Sequence, residues 1–290
     1  MNKRTILGIL GVCAFVCASA QQATIKVAYE AYSTPRSGNF TKQVKRDMVL
    51  LAGPQGSKYY STMSEYCDSL TSTPEGKKQL NDIQMAAWMT RNPDGSISIN
   101  QTKGNAPHKT VSLYVYKDAA TSTVTVYDKW ADEPGTYTEP MGQQWELVED
   151  STKTVLGYEC MLATCNYHGR QWSAWFSPEI PISDGPWKLS GLPGLILEAY
   201  VPNSNFRFVA TGIENTNAVI TPIYQANTYA KVDRKKALRE QQDYLNHLQE
   251  RLSARSQGKV EVYITDEKGN RITMPKYEPK FAIENDYEEK

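Results

Sequence analysis

One hexapeptide organises this sequence: Gly191-Leu192-Pro193-Gly194-Leu195-Ile196. Pro193 suits the second position of a tight turn, and Gly194 supplies positive φ at the third position. The apolar residues on either side of the pair anchor such a turn in a core. The pattern predicts a buried connection that sets strand geometry, with a ligand-contacting loop as the alternative.

A proline-rich loop leads into the hexapeptide. Residues 177–187 contain three prolines, and such a run cannot continue a central strand ladder. We therefore expect a stiff loop over 177–187, followed by a hairpin formed by residues 196–201 and 205–212.

A second hairpin is expected around His168-Gly169. A two-residue turn there places Tyr167 opposite Arg170, and the same register pairs Cys165 with Trp172. Large apolar side chains occur on both faces of this hairpin. That distribution is typical of the wall of a curved sheet that packs against helices.

The rest of the chain is dominated by alternation with a period of two. Strands are expected near residues 25–31, 47–52, 58–61, 111–115 and 124–127. Helical spacing begins after Thr73-Pro74 and recurs over about 232–253, where Leu238, Leu245, Leu248 and Leu252 form an apolar stripe. The second helix is interpreted as a core cover, with a movable lid over an apolar cavity as the alternative. The sequence predicts an α+β, β-rich fold: a curved antiparallel sheet or half-barrel with packed helices.

Residues 1–20 have the order of a secretory signal peptide. A basic pair at 3–4 precedes an apolar run at 6–16, and small residues close the segment. The run is too short for a permanent span, and no later stretch approaches about 18 apolar residues, so we expect no transmembrane segment after cleavage. Cys17 leaves a lipid anchor as an alternative, although Val16 is bulkier than lipidation prefers.

Charge argues against polyanionic partners. The sequence has 32 Lys and Arg and 32 Asp and Glu, and loss of the two cations in the signal peptide leaves a formal charge near minus two. The charges are interspersed, so no nucleic acid partner is expected. The length suits one domain over 21–275, followed by a polar, ill-ordered tail at 276–290.

Three cysteines remain after cleavage: Cys67, Cys160 and Cys165. If residues 154–167 form one strand, Cys160 and Cys165 lie about 16 Å apart on opposite faces. Bridged Cα atoms need about 4.4 to 6.8 Å, so these two cannot pair. We expect Cys67 to bond one of them, and Cys160 is preferred.

The region 145–200 resembles the GLPGLI family, which is named after the hexapeptide and comprises exported Gram-negative envelope proteins of unknown function. The resembling residues keep the family's order and approximate spacing: Trp145-Glu146-Leu147, Gly157-Tyr158, Cys160, Ala163-Thr164, Gly169-Arg170, Ala174-Trp175-Phe176, Glu179-Ile180-Pro181 and Gly185-Pro186. The resemblance implies a layout similar to lipoprotein-carrier-like folds, with an apolar hollow between sheet and helices. It also implies a location in the periplasm or at the outer-membrane periphery. It transfers no reaction, because a fold does not specify chemistry.

The sequence contains none of four common catalytic or nucleotide-binding motifs. It has no nucleophile elbow, zinc-protease helix, phosphate loop or dinucleotide fingerprint. Its three histidines are interpreted as a loop residue (His108), a turn residue (His168) and a helix-surface residue (His247). We therefore expect no cofactor, no metal and no histidine-based catalysis.

The remaining catalytic candidates are two carboxylates, Glu179 and Asp184, near Trp175 and Trp187. The alternative is structural: Asp184 caps the Gly185-Pro186 turn, and Glu179 pairs with a base such as Arg170.

Three functions stay open. The preferred one is a non-enzymatic exported protein that binds an apolar or amphiphilic ligand in a curved-sheet cavity. The second is an accessory or docking protein for an outer-membrane complex, and the third is a carboxylate-dependent hydrolase. The ligand- or partner-binding candidates are Arg170, Trp175, Glu179, Pro181, Gly185, Pro186, Trp187, Gly191, Leu192, Pro193, Gly194, Leu195 and Ile196.

Overall fold

The computed structural model describes residues 21–36, 39–99, 105–255, 264–265, 270–273 and 275–287. The expected signal peptide and Cys17 lie outside these residues. The described strands are β1 (Ile25–Ser33), β2 (Val44–Gly53), β3 (Gly56–Tyr60), β4 (Met89–Arg91), β5 (Ile97–Ile99), β6 (Tyr114–Asp118), β7 (Thr123–Trp130), β8 (Glu133–Pro140), β9 (Glu146–Val155), β10 (Tyr158–Tyr167), β11 (Arg170–Ser177), β12 (Leu195–Tyr200), β13 (Arg207–Asn215), β14 (Ala230–Lys231), β15 (Ile264–Thr265) and β16 (Arg271–Ile272).

Twelve of these strands form one large mixed sheet in the order β14-β8-β7-β6-β3-β2-β1-β13-β12-β11-β10-β9. All neighbours in it are antiparallel except β14 and β8, which run parallel. β4 pairs with β5 and β15 with β16 in two small separate sheets. The expected β-rich α+β class is confirmed.

The hairpin at His168-Gly169 forms with the expected register. Tyr167 pairs with Arg170, and Cys165 pairs with Trp172. His168 and Gly169 have φ of 50° and 77°, the left-handed backbone that a tight two-residue hairpin turn requires.

The expectation of one continuous strand over 154–167 is wrong. Leu156 and Gly157 have φ of 52° and 86°, so the chain turns there and divides the segment between β9 and β10. The pairing of β9 with β10 also shifts between Met161 and Leu162. Cys160 and Cys165 are both buried and belong to the same large core cluster.

The four described helices are α1 (Thr62–Thr71), α2 (Pro74–Trp88), α3 (Arg234–Asn246) and α4 (Leu248–Arg255). The predicted start of α2 is confirmed, because Thr73 accepts a hydrogen bond from the Gly76 amide and Pro74 occupies the first turn. The second predicted helix is divided into α3 and α4 at His247. None of the described helices is long and apolar enough to cross a membrane.

The segment 275–287 is part of the folded body, so the expectation of an ill-ordered tail is wrong for these residues. Tyr277, Ala282, Glu284 and Tyr287 are buried, and three of them share a core cluster with Phe40 and residues of α3. The segment is rich in acidic residues, which favoured the prediction of a disordered tail. Two of these acids, Glu284 and Asp286, pair with cations from distant parts of the chain, so the segment can be folded.

The expected bond between Cys67 and Cys160 is also wrong for this structure. All three described cysteines are free and buried. Cys67 lies on α1, whose Asp68 accepts a hydrogen bond from Tyr114 of β6, whereas Cys160 lies on β10 near the opposite end of the sheet order. Cys160 packs in the large core cluster, and Cys67 is not a member of that cluster.

Candidate functional site

A cavity of about 600 Å³ lies against one region of the large sheet. Apolar side chains from several strands line it, including Met48 of β2, Val126 of β7 and Phe208 of β13. Volumes of this size are typical of small-molecule sites. Because most of its lining is aliphatic or aromatic, the cavity suits apolar groups.

Two elements complete the lining, and we call them together the cover: α3 and the segment 275–287. α3 contributes Leu238, Gln241 and Leu245, and the segment contributes Tyr277 and residues 281–284. Gln241 accepts a hydrogen bond from the Ala131 amide, which ties α3 to the turn after β7. The cavity thus lies where the apolar stripe of the second predicted helix faces the sheet.

Tyr59 of β3 lines the cavity and is only 1% exposed. Among the described residues its buried hydroxyl has no hydrogen-bond partner. Such orphaned groups are rare in folded proteins. The wall therefore contains a polar atom whose hydrogen-bonding capacity is unused.

One end of the cavity carries two arginines, Arg36 and Arg46, and we call this end the mouth. Arg36 follows β1 and donates hydrogen bonds to Ser112 and Asp128. Arg46 lies on β2 between Val44 and Met48, which line the same cavity at alternate positions. The Arg36 side chain is 54% exposed, so the mouth opens to solvent.

The inner end of the cavity is bordered by Tyr137, Trp187 and Glu284, all buried. Glu284 belongs to a set of titratable groups that we call the ionic cluster: Glu139, His168, Lys188, Arg234, Glu284 and Asp286. Lys188 is fully buried and donates to Glu139 at 2.5 Å and to Glu284 at 2.9 Å.

The cluster joins the cover to the sheet. Arg234 of α3 contacts Glu284 and Asp286, each at 2.6 Å. His168 at the hairpin turn lies 3.0 Å from Glu139 and 3.3 Å from Asp286. Each buried carboxylate is thus paired with at least one cation, as burial of charge requires.

The cluster lowers the pKa of its acids. Burial by itself raises the pKa of Glu139, but hydrogen bonds and charges from His168 and Lys188 outweigh it and lower the pKa to about 2. Burial also opposes ionisation of Glu284 and Asp286, yet their cationic neighbours lower both pKa values. The acids are therefore ionised at neutral pH.

His168, Glu284 and Asp286 place three potential ligand atoms within 4.8 Å of one another, a spacing compatible with a metal ion. The two carboxylates are already occupied by Arg234, and Glu284 is also bound by Lys188. A metal would have to displace these cations. We interpret the cluster as a structural latch.

The hexapeptide forms a buried connection into β12. Leu192, Gly194, Leu195 and Ile196 are buried, and only Gly191 and Pro193 are exposed. A Cβ atom at Gly194 would lie 2.2 Å from the carbonyl oxygen of Ser177, so only glycine permits this backbone approach. None of the six residues lines the cavity.

The proline-rich loop is held by a buried ion pair. Lys117 of β6 donates to Asp184 at 2.5 Å and to the carbonyl oxygens of Gly185 and Leu189. Asp184 also accepts from the Gly185 amide at 2.6 Å, which is the turn-capping role that the sequence suggested. Asp184 is therefore committed to a structural contact.

The other candidates are dispersed. Glu179 accepts from the Glu159 amide and does not pair with Arg170. Arg170 instead donates to carbonyl oxygens of Pro279, Lys280 and Ala282 in the cover. Of the residues proposed from sequence for ligand or partner binding, only Trp187 lines the cavity; Trp175, Pro181, Gly185 and Pro186 do not.

Sequence reasoning missed the charged residues that matter most here, Lys117, Lys188, Arg234 and Glu284. One local signal was available, because Lys188 stands alone between Trp187 and Leu189 in an apolar stretch. A lone cation in such a position indicates a buried charge with a partner. No local pattern indicated which acids would reach it.

A family model described as a protein of unknown function (Porph_ging) matches residues 167–198. That stretch contains the hairpin turn, the proline-rich loop and the hexapeptide. No curated protein matches the chain. Two similar solved structures are both of PNGF-II, at 11% identity: a C2 crystal form with a TM-score of 0.47, covering 77% of this chain and 33% of that one, and a P21 form with a TM-score of 0.41, covering 68% and 29%. The chain thus spans about a third of the length of those structures.

Proposed function

We propose that this protein is an exported, non-enzymatic envelope protein that binds an apolar or amphiphilic ligand in the cavity beneath the cover. The proposal includes a sheet that curves around the ligand. The single observation that carries it is the cavity of about 600 Å³ bounded by apolar residues of the sheet and of α3. Contact with an apolar ligand would remove this apolar lining from water, which is favourable.

The cavity supports binding better than the two alternatives. A docking surface at the hexapeptide needs exposed apolar side chains, but Leu192 is 2% exposed and Ile196 is fully buried. A hydrolase at Glu179 and Asp184 needs free carboxylates in a cleft, and Asp184 is held by Lys117. Binding uses a feature that neither alternative explains.

The test is a substitution that fills the cavity. Ala31 of β1 lines the cavity, whereas Ala28 lies on the other face of the same strand and does not. Binding of the neutral apolar dye N-phenylnaphthylamine is measured by fluorescence titration for the wild type, Ala31→Trp and Ala28→Trp. We expect Ala31→Trp to weaken binding about tenfold, or about 1.4 kcal/mol, and Ala28→Trp to leave it unchanged.

Native mass spectrometry of protein purified without denaturation provides the second measurement. A bound apolar molecule in the wild type, lost in Ala31→Trp and kept in Ala28→Trp, is the expected result. Equal dye binding by all three proteins, or no dye binding at all, would contradict the proposal.

A further inference from the structure

We propose that the ligand carries an anionic headgroup, a carboxylate or a phosphate, which binds at the mouth of the cavity beside Arg46 and Arg36. This inference rests on the proposed function and adds the chemical class of the ligand. Its basis is an uneven distribution of charge along the cavity wall.

The topology brings both arginines to the same end of the sheet. β1 ends at Ser33, three residues before Arg36, and Ser33 pairs with Val44 at the start of β2. Arg46 pairs with Ala31, whose side chain also lines the cavity. β7 ends at this edge too, because Arg36 contacts the Lys129 carbonyl oxygen.

The acids of the lining are already neutralised. Asp128 is bound by Arg36 and also accepts from Ser112 and from the Lys129 amide. Glu284 at the inner end is paired with Lys188 and Arg234. Neither carboxylate is left to attract a cationic ligand.

Arg46 differs from these groups. Among the described residues its guanidinium donates one hydrogen bond, to the carbonyl oxygen of Lys45 at 2.9 Å, and forms no ion pair. A guanidinium has five N–H donors arranged to bind a carboxylate or phosphate through two oxygens. With Arg36 and Asp128 cancelling each other, Arg46 leaves the mouth with a net positive charge, to which the exposed Lys129 adds.

The resulting wall is apolar in its interior and cationic at its opening. An aliphatic chain fits against Leu113, Phe208 and Leu245, while an anionic headgroup remains in partial contact with water at Arg46. Charge-assisted hydrogen bonds of this type are about twice as strong as neutral ones, so an anion is favoured over a neutral headgroup.

The experiment compares three ligands with one chain length: laurate, dodecyl phosphate and dodecanol. Their affinities are measured by displacement of N-phenylnaphthylamine for the full chain. We expect both anions to bind at least about tenfold more tightly than dodecanol, with the difference shrinking at high salt. Tighter laurate binding identifies a carboxylate as the preferred headgroup, and tighter dodecyl phosphate binding identifies a phosphate.

The matched variants are Arg46→Gln and Lys45→Gln. Lys45 is the neighbouring cation on β2, but it pairs with Glu30 and does not line the cavity. Arg46→Gln should bring the anions to within about twofold of dodecanol, whereas Lys45→Gln should keep the tenfold preference. Arg36 is not substituted, because its loss would leave the buried Asp128 without its ion-pair partner.

Dodecanol that binds as tightly as laurate to the wild type would overturn this inference and leave the proposed function standing. Equal losses in the two variants would also overturn it, because they would show a general charge effect. If none of the three ligands displaces the dye, the proposed function fails as well.

Discussion

The proline-rich loop with its hexapeptide and the cover over the cavity both bury charged groups, but they do so in different ways. In the loop, one cation, Lys117, is enclosed by Asp184 and two nearby carbonyl oxygens within close-packed surroundings. At the border with the cover, acids from widely separated parts of the chain are held by Arg234 of α3 and by Lys188, which directly follows the loop.

The sheet with the proline-rich loop and the hexapeptide, which we call the frame, differs from the cover in how it is packed. The hexapeptide packs into the large core cluster, whereas the cover borders a cavity, and most of its buried apolar residues form a separate, smaller cluster with Phe40. Segments outside the main core open at lower free energy than core strands do. We therefore expect the loop to unfold only when the whole protein unfolds, and the cover to open locally while the frame stays folded.

The largest effect is expected for Asp184→Ala in the loop. Removing this carboxylate leaves Lys117, which is 4% exposed, buried without its ion-pair partner. The free energy of unfolding should fall by about 3 to 5 kcal/mol, measured by urea denaturation. Glu179→Ala is the control from the same loop, because Glu179 is exposed, and it should cost less than about 1 kcal/mol. Equal losses in the two variants would show that the buried pair does not hold the loop.

The second largest effect is expected from acidification, which should destabilise the cover before the rest of the fold. Glu139 has a pKa lowered from an ordinary 4.5 to about 2, mainly because burial is outweighed by His168 and Lys188. Its contribution is complete above pH 4.5 and is lost as the pH falls towards 2, a change on the order of 3 kcal/mol.

Hydrogen exchange at several pH values measures this loss. Amides of residues 275–287 should lose protection between pH 4.5 and 2 before those of β10 and β11 do. In Glu139→Gln the pH dependence should be shallower. The same onset in both regions would mean that the ionic cluster is not a latch for the cover.

A smaller and more local effect is expected for Arg170→Leu. Arg170 on β11 donates to three carbonyl oxygens of residues 279–282, so its loss leaves that part of the cover without donors. Protection of the amides at 277–284 should fall by about 2 kcal/mol, with little change in global unfolding. Gln171→Leu, at the next and exposed position, should leave the exchange of this segment unchanged. A uniform loss of protection across the sheet would contradict the distinction between frame and cover.

Local sequence patterns predicted the parts of the frame that depend on neighbouring residues. The His168-Gly169 hairpin, its register and the cap at Thr73 follow from turn geometry, alternation and capping chemistry. The turn at Leu156-Gly157 was missed although Gly157 was a local turn signal, because leucine rarely adopts positive φ.

The sequence predicted only the helix side of the cavity. The stripe at Leu238 and Leu245 predicted a helix over an apolar face, and both residues line the cavity. Apart from Trp187, the residues proposed around the hexapeptide do not line the cavity. A close-packed turn and a ligand-contacting loop share the same glycine and proline signals, so the local sequence does not distinguish them.

The sequence by itself determined the β-rich class, the main hairpins and the need for glycine at position 194, because these depend on contacts between residues close in the chain or on the steric limits of single residues. Tertiary structure alone decided that Glu284 meets Lys188, that Arg170 holds residues 279–282, and that Arg46 is left without a carboxylate at the mouth. Those pairings join positions far apart in the chain. Charge and burial make a partner necessary, but only the folded geometry selects which partner is within reach.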